Sequence, residues 1–348
     1  TNATLRSSET RITSLAAREQ PPAMSDRNAQ AFWITAPGTG EHRSAPIGEP
    51  DRDELLVRTL YTGISRGTEA LVWHGQVPAS EMQRMRAPFQ AGDFPAPVKY
   101  GYVNVGLVEE GPPGWPGTVV FCLYPHQTRY VVPVDAVEPL PADLPAARAV
   151  LAANAETALN ACWDAMPRAG ERISVIGAGV VGTLTAALCA AIPGTEVELV
   201  DINPARRETA DRLGIDFAQP DEARTTNDRI IHASASEDGL RLALEVAANE
   251  ATIIELSWFG DRAINLPLGE TFHSRRLTLR SSQVGRIPPL MQPRWDHRRR
   301  LRKALQLLAA HPEWAVLIDG ETPFEQLPQA MDTIISGAGL CHRIDYKE

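Results

Sequence analysis

The stretch ISVIGAGVVGTLTAALCAAIPGTEVELVD, residues 173–201, decides the fold. Apolar residues 173–176 read as a strand, GAGVVG at 177–182 as a tight turn, and residues 180–192 as the helix it opens. Gly177 supplies the turn, Gly179 leaves room for a pyrophosphate against the backbone, and Gly182 lets the helix pack closely on the strand. The free N–H groups of the helix start, at Val180 and Val181, add partial positive charge. A second strand, 196–201, ends in Asp201. A carboxylate there accepts hydrogen bonds from ribose hydroxyls and repels a 2′-phosphate, which favours NAD(H) over NADP(H). Asn203 and Arg206 follow in the same turn, and Arg206 with Arg207 would soften that preference. A lone G-x-G-x-x-G is a weak signal. Strand, helix, second strand and terminal acid together make it a strong one.

Outward from this unit the alternation continues. Helices are expected at 204–213 and 240–247, and strands at 229–233, 252–256 and 277–281. Strands alternating with helices indicate a doubly wound parallel sheet covered on both faces, an α/β fold. Upstream, the Ala-rich run 146–165 is helix-prone. Before Pro145 the texture differs. Short strand-like runs at 54–59, 103–109, 118–123 and 129–134 are cut by Gly and Pro, as in a small β-rich domain of barrel or sandwich character. Residues 1–23 read as a loose polar tail, with Met24 a candidate start. After Gly285 a Pro-rich linker leads to helices at 295–310 and 327–335 and a strand at 342–346. The expected division is 24–150 with 287–348 as one domain and 151–286 as the other.

Composition narrows the function classes. A chain of 348 residues with 43% hydrophobic and 22% charged residues is an ordinary globular sequence, long enough to fold without disulfides. A net charge of −9 argues against a broad nucleic-acid or anionic-membrane surface. Cys122, Cys162, Cys189 and Cys341 show no C-x-x-C spacing, so no cysteine-rich zinc knot is read. Scattered thiols and the lack of a long apolar run point to a cytoplasmic protein with no membrane partner.

TGISRGTE at 62–69, VNVGLVEEG at 103–111, the glycine turn, VDINPARRETADRLG at 200–214, SSQVG at 281–285 and CHRIDY at 341–346 together resemble the medium-chain dehydrogenase/reductase superfamily. The GIS-x-GTE pattern and Gly101-Tyr102 are most similar to its bacteriochlorophyllide dehydrogenase branch. The resemblance implies a GroES-like catalytic domain to which the last segment returns, a nicotinamide in the interdomain cleft, and a homodimer. It places the backbone around Ser282 against the nicotinamide carboxamide, with Ser234 and Ser257 at strand ends lining the other side. Arg66 falls where a basic side chain reaches the pyrophosphate, unless it is a plain surface arginine.

Many members of that superfamily polarise the substrate oxygen with zinc. Here the ligand positions fall on Ser65, on Tyr102 with Val103, and near Ala153 or Asn154, and the four-cysteine structural lobe is missing. The resemblance therefore implies ancestry without zinc. Tyr102 and Ser65 are the candidate catalytic donors, with Lys99 a candidate to lower the Tyr102 pKa. Glu69 reads as a helix cap or an acid. Asn154, Glu156 and Thr157 read as substrate or ribose contacts. His126 and His273 read as proton relays or satisfied loop residues. The basic run 294–303 reads as a solvated helix face, and 76–97 as a lid or a packing loop. The expectation is a zinc-independent NAD(H) oxidoreductase acting on a small alcohol or carbonyl. Enone or quinone reduction and a non-catalytic dinucleotide sensor are the alternatives.

Overall fold

The structure, a computed structural model, describes residues 28–346. The expected tail and the Met24 start lie outside the described residues. Six parallel strands form one sheet in the order Asp216–Ala218, Glu196–Val200, Arg172–Ile176, Asn227–His232, Ala247–Glu255 and Thr278–Ser281. This is the doubly wound order, with its direction reversal between Arg172–Ile176 and Asn227–His232. Alternate residues bury on opposite faces. Val175, Leu199, Ile231 and Ile254 pack with Ala186 and Cys189 on one side, and Ile176, Val200, Ile230 and Ile253 with Leu240 and Leu244 on the other. Burial on both faces is why these strands read as nearly continuous apolar runs.

The β-rich part carries two sheets. Glu54–Ile64 is the spine of the larger one. Its first half pairs with Arg129–Pro133, and its second half with Cys341–Asp345 near the chain's end. Asn104–Glu110 lies along its other side, so the last segment does return to the first. The smaller sheet joins Asn28–Ala36, Thr39–Pro46, Val98–Lys99 and Ala91–Gly92. Phe32, Ile64, Trp73, Phe94, Val98, Phe324 and Tyr346 share the apolar core beside it.

Several sequence expectations shift. The helix expected at 146–165 divides into Ala146–Ala149 and Ala152–Ala165, because Leu151 N–H closes on Arg148 O in a tighter turn. The second piece stops at Met166, which adopts a left-handed backbone ahead of Pro167. The helix expected at 240–247 instead runs Glu237–Glu245, capped by the Ser236 hydroxyl accepting from Gly239 N–H. The run 294–303 is largely a solvated face, as expected, with Arg300 the exception among its charges. Within His297–Ala310, Arg298 and Arg302 both pair with the buried Glu138, and Arg300 is itself buried. The segment 76–97 packs down: Phe94 is buried against Tyr100, and Phe89 lies 5.2 Å from the Tyr124 ring.

Candidate active site

The three glycines of the turn do three different things. Gly177 has φ +110°, and a Cβ there would lie 2.6 Å from Ser234 N. A Cβ on Gly182 would lie 1.9 Å from Gly177 O, so only glycine lets the helix sit this close. A Cβ on Gly179 meets nothing within 4 Å, so the space before it is open. No side chain caps the helix that Gly179 begins, Val180–Ala190, which leaves its first N–H groups available. The turn stands at the carboxyl edge of the sheet, where the strand order reverses and ligands of open α/β sheets bind.

Asp201 braces this turn. Its Oδ2 accepts from Ala178 N–H at 2.7 Å and its Oδ1 from Asn203 N–H at 2.8 Å. Each oxygen keeps a lone pair for a ribose hydroxyl. Asn203 spends its own carbonyl on Ala205 N–H and acts as a turn residue. Arg66, from the β-rich part, and Arg206, from the nucleotide-binding part, converge on the carbonyl of Gly339. Burial, then the nearby Arg206 charge, lowers the Arg66 pKa, and its Nε is buried without a partner.

Two hydroxyl networks flank the turn. His232 Nδ1 meets Glu255 Oε2 at 2.6 Å, and its Nε2 meets Ser234 Oγ at 2.7 Å. Ser257 N–H donates to the same Glu255 at 2.6 Å, and Ser257 Oγ accepts from Ala235 N–H. Ser234 and Ser257 are thus tied together by a buried His–Glu pair. Sequence reasoning missed this pair, because the partners sit on neighbouring strands with no fixed spacing between them. On the neighbouring strand end, Ser282 Oγ donates to Asp164 Oδ2 at 2.7 Å.

Ser65 precedes the helix Arg66–Trp73, and its N–H donates to Glu69 Oε1 at 2.8 Å. The other Glu69 oxygen meets His126 Nε2 at 3.0 Å, and His126 Nδ1 meets the Thr62 hydroxyl at 2.7 Å. Thr62 in turn meets Tyr346 Oη at 3.2 Å. Gly101 packs on the His126 ring, where a Cβ would lie 3.0 Å from Cδ2. The Glu69–His126 pair therefore ties the Ser65 turn to the Gly101-Tyr102 backbone. The Ser65 and Thr68 side chains neighbour the Tyr102 hydroxyl and act on its pKa, so the structure brings the two candidate donors together.

The electrostatics of Tyr102 differ from expectation. Burial, reinforced by the Glu69 charge, pushes its phenol up to about 12, against the pull of the neighbouring Ser65 and Thr68 side chains. Lys99 does not lower it. That ammonium donates to Gln127 Oε1 at 2.6 Å and lies 5.2 Å from the Tyr124 ring centre, and burial lowers its own pKa to about 8. Asn154 and Glu156 are buried, Thr157 donates to the Ala153 carbonyl, and His273 is exposed.

Residues 165–254 match the C-terminal domain of the alanine dehydrogenase/PNT family. Over 214 residues the chain is 29% identical to a 2-desacetyl-2-hydroxyethyl bacteriochlorophyllide A dehydrogenase of Rhodobacter capsulatus, covering 56% of this chain. The matches span 62% and 61% of the lengths of the curated relatives found. An Escherichia coli L-idonate 5-dehydrogenase superposes with TM-score 0.76 at 15% identity, covering 92% of this chain and 99% of that one. A Sinorhizobium meliloti zinc-binding dehydrogenase bound to NADP superposes with TM-score 0.74 at 17% identity, covering 92% and 100%. No helix among the described residues is long and apolar enough to cross a membrane. In fold, with its GroES-like and nucleotide-binding parts, the chain is similar to these medium-chain dehydrogenases, and its nucleotide-binding part is similar in sequence to the matched dehydrogenase domain.

Proposed function

We propose that this chain is an NAD(H)-dependent oxidoreductase that moves hydride between nicotinamide C4 and a carbonyl carbon of a small molecule, without zinc. Residues 151–286 hold the coenzyme: Gly177, Gly179 and Gly182 with the Val180 and Val181 N–H groups take the pyrophosphate, and Asp201 takes the adenosine ribose. Arg66 and Arg206 close on it from the cleft. Ser234, Ser257 and Ser282 line the nicotinamide side. Residues 24–150 with 287–348 carry the substrate. The exposed edge strand Thr278–Ser281, with Leu279 outward, is the proposed seam of a homodimer.

The superfamily's zinc does not fit the residues present. Ser65, Tyr102 and Asn154 offer two hydroxyls and an amide, and burial holds Tyr102 protonated. Structural and catalytic zinc take thiolate, imidazole or carboxylate donors. No step is therefore routed through a metal. When bound, the nicotinamide supplies the hydride. The chain's own part is to orient the coenzyme, exclude water, and hold a proton on Tyr102 Oη beside the substrate oxygen. One observation carries the reading: a phenol kept protonated next to Ser65 at the old ligand position.

A protein-only donor favours carbonyl reduction. Chelator-treated protein is expected to oxidise NADH against a panel of aldehydes, ketones and quinones, with deuterium from 4-deuterated NADH appearing on the carbinol carbon of a ketone product. Activity that vanishes on chelation and returns with zinc would contradict the metal-free reading. NADH binding without turnover across the panel would favour the sensor alternative.

A further inference from the structure

The basic run 294–303 has a member that is not at the surface. Arg300 is 1% exposed. Its helix, His297–Ala310, packs on Ala152–Ala165 through a shared core of Leu301, Ala304, Leu305, Ala152 and Ala155. The guanidinium forks three ways. Nε donates to Glu156 Oε1 at 3.0 Å, one terminal nitrogen donates to Asn160 Oδ1, and the other to the Val284 carbonyl. Asn160 Nδ2 continues to Asp164 Oδ2 at 3.2 Å and to Ser282 Oγ at 3.4 Å. Asp164 also accepts from Ser282 Oγ and, at 2.7 Å, from Arg280.

Glu156, Asn160 and Asp164 follow at four-residue spacing, so they form one ladder on a single helix face. That ladder, with Arg300, grips the loop 282–284 at both ends: Ser282 through Asp164 and Val284 through Arg300. The loop leaves the carboxyl end of Thr278–Ser281, the ligand end of the sheet. Desolvating a guanidinium is costly, and a buried ion pair is seldom better for stability than apolar packing of the same shape. Burial raises the Glu156 carboxyl above its ordinary range, against the pull of Arg300, which marks that cost. What arginine uniquely brings is a planar fork that fixes three acceptors at once.

We propose that Arg300 is a positioning residue for the nicotinamide half of the coenzyme. Through Val284 O and the Glu156–Asn160–Asp164 ladder it fixes the loop 282–284 in the shape that meets the carboxamide. The inference rests on the coenzyme reading above, and the test separates the two. The full chain and its variants are titrated with NADH and with ADP-ribose, which lacks the nicotinamide. Wild type binding neither ligand overturns the coenzyme reading, and this inference with it. With wild type binding both, Arg300→Met is expected to weaken NADH at least about tenfold while ADP-ribose stays within about twofold. Arg300→Lys, which keeps the charge but loses the fork, falls between. Equal weakening of both ligands, or of neither, overturns the proposal. Asp164→Asn keeps the shape of the ladder while cutting its charge. It is expected to show the same selective loss, and it decides the matter alone if the Arg300 variants do not fold.

Discussion

Gly179→Val is expected to fold and melt like the wild type and to lose NADH binding. A Cβ at this position meets nothing within 4 Å, and its φ of −75° suits any residue. The fold therefore has no reason to object. The branched side chain instead fills the open space before Val180 that the pyrophosphate needs, and it shields the free N–H groups there. Affinity is expected to drop by about a hundredfold or more, ~3 kcal/mol. Gly182→Ala makes the contrast. Its Cβ would sit 1.9 Å from Gly177 O, a backbone atom that cannot swing aside. The helix must lift off the strand, so both thermal stability and binding fall, stability by about 1–3 kcal/mol or more. Calorimetric titration with a parallel melting curve checks both. A Gly179→Val protein that binds NADH as well as wild type would remove the turn from the coenzyme site.

Tyr102→Phe is expected to lower kcat for carbonyl reduction by about 10²–10³ with little change in NADH affinity, the usual size for a lost proton donor. The pH dependence follows from the phenol's position at about 12. The reactive form in reduction is the protonated phenol, present at every pH well below that value. Tyr102 thus imposes no decline on reduction between about pH 6 and 10. A developing alkoxide is far more basic than such a phenol, so the proton moves downhill. Oxidation runs the other way. It needs the phenolate, which is scarce at neutral pH, so the oxidation rate should climb about tenfold per pH unit toward alkaline conditions. Steady-state rates in both directions, for wild type and Tyr102→Phe, decide this. A Phe variant with wild-type kcat would reassign the donor, with Ser65 the nearest alternative.

Much of the fold was legible in the sequence because strands buried on both faces leave continuous apolar runs. Arg172–Ile176, Glu196–Val200 and Asn227–His232 sit inside the parallel sheet and announce themselves this way. Among the strands that went unread are Thr39–Pro46, Asp216–Ala218 and Ile318–Pro323. Each is an outer strand of its sheet, with polar residues facing solvent and half its backbone unpaired, so little apolar pattern is imposed on it. The site shows the same division. Glycine roles and the acid at Asp201 depend on local backbone geometry, which short motifs record. The Glu69–His126 and His232–Glu255 pairs and the Arg300 fork join residues 57, 23 and 144 positions apart, and only tertiary packing brings them together. The four-residue spacing of Glu156, Asn160 and Asp164 on an Ala-rich helix was the one visible trace of such a network. The direction of the Tyr102 shift was also beyond the sequence, because burial and the Glu69 charge outweigh the pull of Ser65 and Thr68 only in the folded chain.

The Gly177 turn, with Asp201 behind it, is the proposed seat of NAD(H). The most direct measurement is a titration of the purified full chain with NADH and with NADPH, followed by calorimetry. One NADH is expected per chain, bound at least about tenfold more tightly than NADPH because Asp201 repels the 2′-phosphate. Tighter binding of NADPH would contradict the role given to Asp201, and no binding of either would contradict the site itself.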